Sequence, residues 1–292
     1  MPVRSPLIKG IFNPVWTSNS FAALLVAFIF IGLISDVAFY FIARYFDLIP
    51  KMQFDQIVEI SFASDVQYFR RKVVLSFSLS FFALPLLLVL IHNYGYRLTV
   101  RRLANWKLYF LWGYIFSLNN FLGYLAFSSL GDKSKVLTGL LRRKFKIILE
   151  YIGLSEGWLP FLTAFIFTTY ALLGSRMFAR FLLMSPSNSL NKNSRQRVIF
   201  ILNTVIFPLL LFTLFGQWLY LGDLPYESRY QNMLIFWGPA LVMLYRAHRN
   251  GLYDRVPALS GSWIDYPDVI LYGLALILVT SVVYVIPAFF YE

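Results

Sequence analysis

Long uncharged apolar runs constrain this chain more than any other feature. Seven segments are long enough, or nearly so, to cross a hydrocarbon layer of ~30 Å at ~1.5 Å per helical residue. They cover residues 21–44, 73–91, 108–127, 158–183, 198–219, 232–245 and 269–290. The sixth is short and holds Gly238-Pro239, so it fits a tilted or re-entrant element as well as a crossing. Pro85, Pro208, Pro239 and Pro287 fall inside these runs. Membrane helices tolerate such prolines when neighbours re-satisfy the freed carbonyl, so kinks are expected there rather than ends.

Composition agrees. Of 292 residues, 59% are hydrophobic and 14% charged, against about 25% charged in soluble domains. Aromatics make up 19%, which suits lipid-facing surfaces and interfacial belts. The formal charge of +12 would fit nucleic acid, but the cations sit in short loops between apolar runs. That placement points instead to topology control and contact with anionic lipid headgroups, with no nucleic-acid partner. The absence of cysteine excludes disulfides, thiolate metal sites and cysteine nucleophiles. Arg4 and Lys9 precede the first run as in a signal peptide. The run is too long for that role and lacks a small-residue cleavage site, so it reads as a retained first span.

Two linkers carry helical periodicity. Phe54, Ile57, Val58, Phe62, Val66 and Phe69 recur within 52–69, and Leu137, Leu141, Phe145, Ile148 and Ile152 within 136–152. Both are expected as amphipathic helices on the bilayer surface. The second bears Arg142, Arg143, Lys144 and Lys146 and leads through Trp158 into the fourth run, which ends on Arg176 and Arg180. Surface helix, aromatic anchor, span and cationic stop thus lie side by side between Lys133 and Met184. The expected fold is all-α: a single polytopic membrane bundle of about seven transmembrane helices with one or two interfacial helices.

With the N-terminus in the cytoplasm, little more than half of the 26 Lys and Arg residues fall on the inner side. The positive-inside rule favours a larger bias. The dense basic loops after the second and fourth spans still favour that orientation, in a bacterial inner membrane or an equivalent energy-transducing membrane. The Arg142–Lys146 cluster then lies outside, where an acidic protein partner would account for it.

Candidate chemistry is sparse. Asp36 lies deep in the first span, with Tyr40 and Arg44 following on much the same face. A carboxylate at that depth must face the bundle, pair or be protonated. Asn119 and Asn120 sit near the middle of the third span and Asn203 in the fifth. These groups could line a polar path; interhelical hydrogen bonds are the plainer reading. Arg176, Arg180, Arg246 and Arg249 are candidate contacts for lipid phosphate or a partner, or else they snorkel. His92 and His248 lie at helix ends with basic flanks, and neither haem nor zinc is expected of them. Asp265 and Asp268 bracket Tyr266-Pro267 as a turn rather than a magnesium site. No phosphate loop, HExxH or GxSxG motif occurs. The sequence therefore predicts no catalytic residues, cofactor or metal. It favours a non-catalytic subunit, scaffold or anchor of a membrane complex, bound to lipids and to protein partners. The alternative is a small-molecule, ion or lipid transporter using Asp36 and the midplane asparagines.

Overall fold

The computed structural model describes residues 11–46, 49–53, 56–61, 79, 83–99, 106–119, 153, 161, 164–165, 168–176, 194–215, 237–248 and 266–281. Apart from one β-hairpin, this is a helical architecture. The helices are α1 (Pro14–Tyr45), α2 (Leu84–Thr99), α3 (Trp106–Leu118), α4 (Ser194–Ile201), α5 (Phe207–Phe215), α6 (Trp237–His248) and α7 (Val269–Thr280). A π-helical turn, Leu202–Ile206, joins α4 to α5 without a break. Residues 168–176 form a further helical segment.

Among the described residues, α1 is the hub. It packs on α3, α5, α7, the π turn and the hairpin. Its 32 residues span about 48 Å, more than a hydrocarbon core. The helix begins about two turns before the expected Phe21, because Asn13 caps it and Pro14 takes the first helical position. There the ring's fixed φ is already helical and its missing N–H costs no bond. Ala22, Ala23 and Ala27 are buried, and small side chains let neighbouring backbones approach. Beyond them Phe28, Phe116 and Phe212 form an aromatic cluster. Phe28 lies 5.4 Å from Phe116 and 4.8 Å from Phe212, ring centre to ring centre.

Helices α2 and α3 form an antiparallel pair whose seam depends on two glycines. A Cβ on Gly95 would collide with the Phe110 ring, and one on Gly113 with the His92 imidazole. At Gly174, in the 168–176 segment, an added Cβ would lie 2.6 Å from Pro239 of α6. These contacts place glycine where a ring must enter the neighbouring helix.

The expected surface helix over 52–69 is corrected. Its described part is an antiparallel hairpin of β1 (Ile49–Gln53) and β2 (Gln56–Ser61), with Pro50 opposite Ile60 and Lys51 opposite Glu59. Ile57, Val58 and Ile60 are β-branched, which limits their rotamers in a helix and suits them to a strand. The basic helix expected over 136–152 lies outside the described residues. Among the described residues, two helices are long and apolar enough to cross a membrane, Pro14–Ile42 and Ser194–Leu214. Leu84–Gly95 and Val269–Thr280 are shorter apolar helices.

Candidate functional site

Five buried polar side chains, Thr17, Asn19, Ser20, Asn203 and Thr204, gather at the first two turns of α1. Asn13 Oδ1 accepts from the backbone N–H groups of Val15 and Trp16 at 3.1 and 3.2 Å, satisfying donors that a helix start leaves open. The Asn13 backbone N–H donates to Asn203 Oδ1 at 2.6 Å, and Thr17 Oγ1 donates to the same oxygen at 3.3 Å. Asn203 Nδ2 donates to the carbonyls of Ile11 and Ile199, both at 2.8 Å. One fully buried amide thus ties the entry of α1 to the π turn.

The π turn has a local cause. Pro208 has no N–H to offer the Thr204 carbonyl four residues back, and its ring crowds that carbonyl. The chain widens, and the Phe207 N–H bonds to Leu202, five residues back. The freed Thr204 carbonyl accepts from Ser20 Oγ at 2.5 Å. Ser20 Oγ in turn accepts from Trp112 Nε1 at 2.9 Å. A proline in α5, a serine in α1 and a tryptophan in α3 are therefore one hydrogen-bonded chain, the neighbour rescue expected of an intramembrane proline.

The opposite side of α1 holds α7. Asn19 Nδ2 donates to the Tyr266 carbonyl at 2.8 Å. Asn19 Oδ1 accepts from the Asp268 N–H at 3.0 Å and from the Tyr272 hydroxyl at 2.6 Å. Ser18 Oγ lies 2.7 Å from the same hydroxyl. Asp268 caps α7, its Oδ1 accepting from the Ile270 and Leu271 N–H groups.

Of the residues singled out from the sequence, Asn203 belongs to this network and its amide is spent on helix joining. Arg44 is exposed at the far end of α1. Its Nε and Nη2 donate to the Tyr40 hydroxyl at 3.2 and 3.1 Å, and the guanidinium stacks on that ring. Asp36 is in α1, but its side chain lies outside the described set. Asn119 is 1% exposed, and neither amide atom has a hydrogen-bond partner among the described residues. Arg176 is exposed at the end of the 168–176 segment and Arg246 half-buried in the last turn of α6. Asn120, Arg142, Arg143, Lys144, Lys146, Arg180 and Arg249 lie outside the described residues.

His92 departs from the expectation of a polar helix end. It is buried against Gly113, with Nδ1 2.7 Å from the Leu88 carbonyl and 3.2 Å from Ser117 Oγ. A carbonyl only accepts, so Nδ1 carries the proton. It therefore offers Ser117 no base, and the pair is not an activated nucleophile. Arg197 is also buried, with Nε donating to the Ala247 carbonyl at 3.0 Å. A cation there meets the negative end of α6. No group of three His, Cys, Asp or Glu able to hold a metal occurs among the described residues.

Asn13, Thr17, Asn19, Ser20, Trp112 and Tyr272 were not anticipated as site residues. The available signal was spacing. Asn13, Thr17 and Ser20 are four and three residues apart, hence on one helical face, directly before an apolar run. Comparison with known proteins adds no relative: no family model, no curated protein and no solved structure matches this chain.

Proposed function

We propose that the chain is a multi-pass integral membrane protein of about seven spans, acting as a non-catalytic subunit, scaffold or anchor in a larger membrane complex. One observation carries this reading: the helices are apolar on their outer faces. Phe165, Leu87, Leu276 and Ile277 are large apolar side chains left exposed, at 70%, 53%, 68% and 62%. Soluble monomers rarely display large apolar patches, whereas lipid solvates exposed apolar side chains. The interior polar groups support the same reading, because Asn19, Ser20, Asn203 and Thr204 all bond helix to helix or within a helix. The N-terminus then lies in the cytoplasm, and the membrane is a bacterial inner membrane or its energy-transducing equivalent. Anionic lipids and an acidic protein partner are the ligands proposed for Arg142–Lys146.

Mild-detergent extraction followed by native mass spectrometry tests the proposal. The expected particle is heavier than the 34.0 kDa chain and contains a second protein in fixed ratio. A lone chain carrying only lipid overturns the scaffold role. Release by alkaline carbonate without detergent overturns the membrane assignment. Because the chain has no cysteine, single cysteines with an impermeant maleimide report span number and orientation without background.

Transport is the second reading, favoured by the unpartnered Asn119 amide. Substrate flux in vesicles containing only this chain would place it first.

A further inference from the structure

The seam between α2 and α3 closes around one ionisable group. His92 is 3% exposed. Its Nδ1 is committed to the Leu88 carbonyl, and Ser117 Oγ lies 3.2 Å from the same nitrogen. A second proton must therefore arrive at Nε2. Among the described residues that nitrogen makes no hydrogen bond. It faces the glycine notch of α3: a Cβ built on Gly113 would lie 2.5 Å from it, and the glycine methylene offers no acceptor. The Tyr109 and Phe110 rings flank the imidazole at 5.9 and 6.1 Å, centre to centre. Neither helix contains Asp or Glu, and their other charged residues, Arg97 and Lys107, are both cations. Tyr94, Tyr96, Tyr109 and Tyr114 add only phenols, which are uncharged near neutral pH. The helix α1, which packs on α3, brings Asp36 and Arg44 as its charged residues.

A neutral imidazole suits this slot and an imidazolium does not. A buried charge needs an opposite partner or water, and neither α2 nor α3 supplies an anion. Water reaches Nε2 once the two helices part, and the two glycines that let them approach, Gly95 and Gly113, leave few side-chain atoms to hold them together. We infer that the α2–α3 seam is an acid-sensitive joint: a proton taken from solvent at His92 Nε2 parts the helices at Gly113, and its release lets them close. Histidine is the side chain whose ordinary change of charge falls between about pH 5 and 8. Acidification in that range leaves the amide and hydroxyl bonds around α1 as they are, so the response is confined to this pair. The inference is independent of the scaffold reading.

Imidazole nitrogen NMR and amide hydrogen exchange of the full chain in lipid nanodiscs test it. His248 is the one other histidine, so H248Q leaves a single imidazole to observe. At about pH 7.5 it is expected to be neutral with its proton on Nδ1, and by about pH 5 to carry both protons. Exchange in α2 and α3, corrected for its intrinsic pH dependence, is expected to rise in step, by up to about tenfold per pH unit for one proton taken up. Exchange in α7 stays unchanged. H92N keeps a donor for the Leu88 carbonyl but takes up no proton, and should abolish the pH dependence; H92F makes the same comparison with an aromatic ring in the slot. An imidazole still neutral at about pH 5 overturns the inference without any variant. So does one that charges while α2 and α3 stay protected, or acid loosening that persists in folded H92N or H92F.

Discussion

The entry of α1 and the outer faces of α2, α5 and α7 each invert the placement common in a water-soluble protein: polar side chains are buried at the first and large apolar ones are exposed on the second. Around the start of α1, Asn13, Thr17, Asn19, Ser20, Asn203 and Thr204 are turned inward and bonded across helices. On the outer faces of α2, α5 and α7, Leu87, Leu210, Leu276 and Ile277 are exposed. Both regions draw on uncharged residues of ordinary helix-forming segments; on the membrane reading proposed above, the difference lies in the solvent. Where water is absent, a polar group is satisfied only by another part of the protein, and an apolar one needs no cover. The contrast teaches that the polar contacts choose helix partners, while apolar burial contributes less to that choice.

The sharpest way to break this contrast is to charge the outer face. Leu276→Arg should cost about 3 kcal/mol of insertion free energy if α7 faces lipid, read as loss of the chain from the membrane fraction. In water the same exposed change would stay within about 0.5 kcal/mol. A neutral outcome would therefore place α7 in solvent. The complementary change is made inside. Asn203→Leu keeps the volume but strands the Asn13 N–H and the Ile11 carbonyl. At about 1–3 kcal/mol for each stranded buried group, with partial relaxation, a loss of about 2–3 kcal/mol is expected. Thermal unfolding in detergent measures it. An unchanged midpoint would mean that the α1 entry is held by something other than this amide.

How much of this was legible follows from the physics of each element. The apolar runs announced α1, the Ser194–Phe215 helix and the start of α7 at Val269, because burial and helix length are written locally. Pro208 announced a disturbed backbone in the fifth run, and a π turn with a borrowed serine is the form it takes. Asn203 was marked as a polar group at depth, but its partners Asn13 and Thr17 are 190 and 186 residues away. No local pattern names them. The hairpin at 49–61 was misread because Phe54, Ile57, Val58 and Phe62 fit helical spacing, while the β-branched residues decide for strands only once two segments pair. His92 was misplaced for a related reason. Its basic flanks suggested a wet helix end, and only Gly113 on another helix reveals the slot that receives its ring.

That slot supplies the next prediction. Gly113→Ala places a methyl group inside the His92 imidazole, so α2 and α3 must separate. Overpacking of this kind costs about 1–3 kcal/mol. His92→Ala in the Gly113→Ala background should recover part of the loss, giving a coupling energy in a double-mutant cycle. Strict additivity would show that the two residues do not meet.

The smallest effect is the most diagnostic of how α7 is held. Tyr272→Phe removes one hydroxyl that donates to Asn19 and contacts Ser18, and leaves the ring in place. Asn19 keeps the Tyr266 carbonyl and the Asp268 N–H as partners, so its amide is not stranded. A net loss of about 1 kcal/mol follows, seen as faster amide exchange at Ile270 and Leu271 rather than as a large shift in global unfolding. Asn19→Leu, by contrast, strands both of those backbone groups and should raise exchange at the same positions much further. If Tyr272→Phe equals Asn19→Leu, the hydroxyl is the main attachment and the asparagine only orients it. If Tyr272→Phe is silent while Asn19→Leu is not, α7 is joined to α1 through its backbone cap, and the polar interior holds its helices by their ends.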